Sequence, residues 1–157
     1  MTALGRDFYE RPVEEVGRDL IGCELLVGGV GGLIVEAEAY HQTEPACHAY
    51  AGLTARTETL FGRPGNAYVY LSYGVHNLVN AVCEPEGVGA AVLIRALEPR
   101  WGMDVMARRR GLDDPRLLCA GPGRLSQALG IGLEMNGMSL ARAPFELRGA
   151  SGDAPRV

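Results

Sequence analysis

Hydrophobic and polar positions recur along this chain with two different periods, and the switches between them predict its elements. Val13, Val16, Leu20 and Ile21 fall on one face at helical spacing. Pro12 suits a first turn, Glu14 and Glu15 complement the positive end of the helix dipole, and Gly22 is a stop, so a helix is expected over 11–21. Two apolar runs, 23–27 and 33–40, flank the segment GGVGG and predict a β-hairpin with the glycines as its turn. Residues 41–64 show little periodicity beyond a short helix near 57–61. Runs rich in β-formers at 67–73, 76–83 and 88–97 predict three more strands. Helices are expected at 101–110 and 122–129, and a last strand near 144–147. One helix, several strands joined by hairpin-like connections, then more helices indicate an α+β fold: one domain over 1–157, built on a largely antiparallel sheet.

Composition narrows this picture mainly by exclusion. A chain with 47% hydrophobic and 22% charged residues is an ordinary globule, long enough to fold without disulfides or metal. No apolar run approaches the ~18 residues of a membrane span, and the opening MTALGRDFYE lacks the pattern of a secretory signal. A cytoplasmic protein without a membrane partner is therefore expected. Cys23, Cys47, Cys83 and Cys119 are widely spaced, with no CxxC pair, and read as small buried hydrophobes. The net charge of −4 is unevenly spread: residues 1–55 hold 3 Arg against 9 acids, residues 56–124 hold 9 Arg against 7. A polyanion would meet the middle of the chain. All 15 basic residues are arginine, so no lysine is available for a Schiff base, a P-loop or a pyridoxal linkage.

Several clusters carry candidate chemistry, each with a plain structural alternative. In VEAEAY, the side chains of Glu36, Glu38 and Tyr40 alternate with small apolar ones and project from one strand face. They form either a solvent face or a carboxylate beside an aromatic ring, able to act as a general base for water. In YVYLSYG, Tyr68 and Tyr70 share a face, and Tyr73 stands beside Gly74 where a turn would present it outward. Tyrosines so clustered either pack a core or give a base a surface to stack on, with a wedge at the turn. AGPGRL, with Gly121, Gly123 and Arg124, is an ordinary helix start or a phosphate seat. Arg108, Arg109 and Arg110 form a solvated helix end or phosphate contacts. Neither GGVGG nor GRPG makes a dinucleotide or P-loop motif, and His41, His48 and His76 have no metal-ligand spacing, so neither cofactor nor metal is expected.

Taken in order, these pieces resemble the alkyladenine (3-methyladenine) DNA glycosylases. The resemblance rests on LIVEAEAY (33–40), the segment over 44–80 from EPACHAY to VHNLVN, AVLIRALEP (91–99), RRR (108–110) and CAGPGRLSQALGI (119–131), and covers roughly 100 residues in the family's order. It implies a single α+β domain with a curved, largely antiparallel sheet flanked by helices. The activity implied is hydrolytic excision of alkylated or deaminated purines (3-methyladenine, 7-methylguanine, hypoxanthine, ethenoadenine) from damaged double-stranded DNA, leaving an abasic site; a monomer is the simplest expectation for the chain. Glu38 matches the family's general base, and Arg95 an arginine near the catalytic water and the target nucleotide's phosphate. Tyr40, His48 and Tyr70 match the residues that enclose the flipped base. Asn80 matches the one that disfavours normal guanine, and Tyr73 the intercalating residue.

The sequence also departs from the family's pattern. The Tyr40–His48 interval is compressed, Arg124 replaces a lysine, and the chain ends at APRV where a further strand and an aromatic-rich segment are expected. Two other readings stay open: a non-catalytic nucleic-acid-binding module of the same fold, and a hydrolase of free nucleosides. Glu38 in its motif speaks against the first, and Tyr73 at a turn against the second. Glycosylases that also cut the strand use an amine on the sugar, and besides the N-terminus this sequence has none, so base release without strand scission is expected.

Overall fold

The computed structural model describes residues 3–54 and 57–149. Five α-helices, α1 (Arg6–Tyr9), α2 (Val13–Leu20), α3 (Met103–Arg110), α4 (Pro115–Leu118) and α5 (Pro122–Leu129), flank a sheet of six strands. The strands are β1 (Glu24–Val27), β2 (Val30–His41), β3 (Ala67–Ser72), β4 (His76–Val82), β5 (Ala90–Trp101) and β6 (Phe145–Arg148). They lie in the order β3-β4-β5-β2-β1-β6, every neighbouring pair is antiparallel, and the sheet curls into a half-barrel. The expected α+β class is what forms.

Several boundaries move, each for a physical reason. The helix expected over 11–21 is α2 and starts at Val13, because Pro12 occupies its N-cap and the Val13 amide is bonded from outside by Glu84 Oε2 at 2.9 Å. The short helices α1 and α4 are too brief to leave a periodic signature. The GGVGG segment is only partly turn: Gly28 and Gly29 make the bend, while Val30, Gly31 and Gly32 belong to β2. A Cβ on Gly31 would sit 1.8 Å from the Leu25 carbonyl oxygen, and one on Gly32 1.9 Å from that of Glu98, so neighbouring backbones approach where only glycine fits. β5 runs past the expected end at 97, through Pro99 to Trp101, and α3 begins correspondingly later, at Met103. The expected helix near 57–61 is a 3₁₀ turn over Glu58–Phe61.

The sheet separates two apolar clusters. On one face, Val69, Val79, Ala81, Val92 and Ile94 pack beneath the helices, and Ala37 and Ala39 line the contact with α2. Gly17 lets α2 come close there, since a Cβ on it would lie 3.6 Å from that of Ala39. On the other face a smaller cluster gathers Cys47, Ala49, Leu60, Tyr68, Val82 and Ala91. All four cysteines are buried, and none forms a disulfide.

Candidate active site

Strand register assembles the site on the face away from α2. Tyr68 of β3 pairs with Asn80 of β4, Asn80 with Leu93 of β5, and Leu93 with Glu38 of β2. Directly opposed residues share a face, so residues distant in sequence form one row across four strands. One step along the strands adds Tyr70, Ala91 and Tyr40 to the same face.

Three irregularities interrupt the pairing of β2 with β5, two of them beside the site. Ile34 pairs with Leu97 and Glu36 with Ala96, which leaves Val35 unmatched; Ala37 then pairs with Ile94, which leaves Arg95 unmatched. A bulge of this kind re-aims a side chain. The Arg95 guanidinium reaches Glu38, with Nη1 3.2 Å from Oε2. On the other carboxylate oxygen, the Tyr40 hydroxyl donates to Oε1 at 2.8 Å. Glu38 is thus held from both sides while its side chain stays 48% exposed. Glu36 is exposed and makes no hydrogen bond or ion pair with the described residues, so of the three polar positions in VEAEAY only Glu38 and Tyr40 enter the site.

Beside this pair opens a recess of about 80 Å³ whose walls include Tyr40, Cys47, His48, Tyr68, Tyr70 and Asn80. His48 lies in a 3₁₀ turn (His48–Ala51), where its Nδ1 is 3.0 Å from the Tyr68 hydroxyl and its ring 4.3 Å from that of Tyr70, centroid to centroid. The Asn80 amide donates to the Tyr68 carbonyl at 3.2 Å, which fixes the orientation of this buried side chain. Burial, then the hydrogen bond to Glu38 and its charge, push the Tyr40 phenol up to about 12 against the opposing pull of Arg95. Burial likewise raises Tyr70 and the Cys47 thiol. These phenols and the thiol are therefore neutral, and the carboxylate–guanidinium pair stands at the rim of the recess.

Tyr73 is isolated from this packing. It is 98% exposed at the tip of the β3–β4 hairpin and adopts a left-handed backbone, φ 51°, followed by Gly74 at φ 68°. A non-glycine residue in that conformation costs roughly 1–2 kcal/mol, and no buried contact of the side chain compensates it.

The segment before α5 is pinned to β5 just past Arg95. The Leu97 amide donates to the Cys119 carbonyl at 3.1 Å, and Ala96 bridges to Ala120, on the side of β5 that β4 leaves unpaired. The N-terminal amides of α5 open beside it, with Pro122 in the first turn. Gly123 abuts His76 so closely that a Cβ would come within 2.5 Å of the imidazole, and the Arg124 guanidinium donates to the Ala120 carbonyl at 3.3 Å. The start of α5 thus follows directly on the bridge that ties Ala120 to the residue after Arg95.

The arginine run behaves differently. Arg109 stays exposed but donates to the Ala128 carbonyl at 3.0 Å at the C-terminus of α5, and Arg110 bonds Leu117, Leu118 and Gln127. These two side chains knit α3 to α4 and α5. Arg108 is exposed and bonds neither helix, with Asp104 of its own helix 3.7 Å away. Tyr68, read from the sequence with Tyr70 as a candidate stacking surface, lines the recess, whereas the packing of His76 on Gly123 has no sequence signal.

Comparison with known proteins covers nearly the whole chain. The family described as Methylpurine-DNA glycosylase (MPG) matches residues 7–157. A protein of Rhodopseudomonas palustris, provisionally named a 3-methyladenine DNA glycosylase, is 60% identical over 144 residues, covering 92% of this chain and 70% of the relative. Relatives given the same provisional name in Bradyrhizobium diazoefficiens and Nitrosospira multiformis are 57% identical over 150 residues and 56% over 147. The matches cover 96% and 94% of this chain, and 75% and 76% of those relatives.

Proposed function

The chain belongs to the methylpurine-DNA glycosylase family, and on that premise we propose that it excises damaged purines, alkylated or deaminated, by drawing the nucleotide out of duplex DNA into the Tyr40–His48–Tyr70 recess, where Glu38 activates the attacking water. It is a DNA glycosylase acting on alkylated bases. The observation that carries the finer reading is the Glu38 carboxylate, fixed by Arg95 and Tyr40 at the rim of an aromatic recess.

A base inside a duplex hides its glycosidic bond, so the nucleotide must leave the stack, at a few kcal/mol, and least for a damaged, weakly paired base. Tyr73 fills the vacated space, and stacking in the recess contributes about 1–3 kcal/mol per base. A purine methylated on a ring nitrogen is cationic, and uncharged aromatic faces attract cations. The same methylation weakens the bond to the sugar, so the enzyme need not protonate such a base. Cleavage develops positive charge on the sugar. Glu38 stabilises that charge and takes a proton from the water that attacks the anomeric carbon, as the bond to the purine nitrogen breaks and the base leaves with its electron pair. Arg95 keeps the carboxylate in place, and Arg124 with the amides around Gly121 and Gly123 seats a neighbouring phosphate, with Arg108 a more distant contact.

Incubation with duplexes carrying hypoxanthine or 7-methylguanine tests this reading. Free base and an alkali-labile abasic site are expected from the unaltered protein, and neither at a comparable rate from Glu38→Gln. Lesion binding without base release would identify a binding module instead. Borohydride should trap no protein on the DNA, since no lysine can form the imine; a trapped adduct overturns hydrolysis by water alone.

A further inference from the structure

Tyr40 is in two places at once. Its ring walls the recess, while its hydroxyl is bonded to the carboxylate two residues earlier on the same strand face. Stacking needs only the ring, which phenylalanine would supply equally. The hydroxyl adds nothing evident to the fold, because the bond it makes is solvent-exposed and joins neighbours already fixed by the β2–β5 ladder.

We infer that Tyr40 is a positioning residue that acts through Glu38: its hydroxyl holds Oε1, as Arg95 holds Oε2, so that the carboxylate presents a fixed acceptor direction to the water. This rests on Glu38 being the general base. Each carboxylate oxygen has two lone-pair sites, so each accepts from its holder and keeps a second site for the water. Without the Tyr40 hydroxyl, Arg95 alone contacts the carboxylate, at one oxygen, and the group is free to rotate about its last torsion. The phenol is a dependable donor because its titration is pushed up to about 12, so it stays protonated wherever duplex DNA is intact. The arrangement also links recognition to chemistry. A base stacked on the ring stiffens Tyr40, and through the hydroxyl it stiffens Glu38, so the water is aimed best when the recess is filled.

The test is a double-mutant cycle of Tyr40→Phe and Glu38→Gln, read by single-turnover release of 7-methylguanine from a duplex. That cationic base leaves readily enough for the slow variants to remain measurable. A hydrogen bond to a charged group is worth about 1.5–3 kcal/mol, so Tyr40→Phe alone is expected to lower the rate about 10- to 100-fold. Its affinity for a duplex containing a stable abasic-site analogue, and its melting temperature, should not change. In the Glu38→Gln background the same substitution should cost almost nothing further. Equal losses in both backgrounds, no loss in either, or a loss explained by weaker binding would each overturn the inference. Full activity of Glu38→Gln by itself would instead overturn the assignment of the base, a separate result from the same four proteins.

Discussion

Ala37 and Ala39 of β2 face α2, whereas Glu38 and Tyr40, interleaved with them, face the recess. The helix-side residues are small because Gly17 of α2 lies almost on top of them, and the surrounding core is closed and apolar. The recess-side residues are polar, half-open and bonded to one another rather than to the core. A strand sends alternate side chains to opposite faces. One short segment therefore carries core packing on one side and the proposed chemistry on the other, with no side chain required to serve both. The difference teaches that the two properties should respond to substitution separately.

Glu38→Gln presses the comparison hardest. A positioned general base contributes about 10²–10⁴-fold, so base release should fall by that factor. The melting temperature should stay where it is, since the carboxylate packs against no core residue. A large drop in both measurements would mean that the faces are coupled. Leu20→Ala probes the opposite face. This side chain is fully buried beneath the sheet, and its truncation should cost about 2–5 kcal/mol, or roughly 2–4 °C of melting temperature for each kcal/mol. Excision measured well below the transition should be unaltered.

Tyr73→Ala sharpens the contrast at a third place, the hairpin tip. Because the side chain is 98% exposed and its backbone conformation is unfavourable, its removal should not lower the melting temperature. Loss of the wedge should weaken capture of an extruded base in duplex DNA by about 1–3 kcal/mol. Equal activity of the variant and the parent on duplex and single-stranded lesions would show that Tyr73 has no such role.

How much of this was legible in the sequence follows from what each feature depends on. The alternation in VEAEAY and YVYLSYG and the glycine–proline start of 122–129 are local, and they placed β2, β3 and α5 within a residue or two, apart from the glycines drawn into β2. The resemblance carried by those segments named the residues lining the recess, which the structure brings together. Cross-strand register is not local. Nothing near Arg95 in the chain announces that a bulge will turn it to Glu38, and nothing in VEAEAY separates the solvent-facing Glu36 from the engaged Glu38. The arginine run was legible only in part: Arg108 and Arg109 are exposed, as a charged helix end suggests, yet Arg109 also donates to the Ala128 carbonyl at the end of α5, a partner about 20 residues away in sequence.

Glu84 is where the two faces join, and it gives the smallest and most discriminating effect. It follows β4 in a left-handed conformation, φ 64°, and its carboxylate divides its contacts. Oε2 accepts from the Val13 amide at 2.9 Å, capping α2 on the helix side, and Oε1 lies 3.4 Å from Nε2 of His41, the residue after Tyr40. A side chain that satisfies a free amide at a helix start is worth about 1 kcal/mol, and a negative charge there also complements the dipole. Glu84→Ala should therefore lower stability by about 1 kcal/mol, whereas Glu84→Gln, whose side-chain oxygen still reaches Val13, should lose less. In neither variant should the excision rate change appreciably, because His41 touches neither the recess nor Glu38. If the rate fell while stability held, the end of β2 would be transmitting position to Tyr40, and the independence of the two faces would fail at this joint.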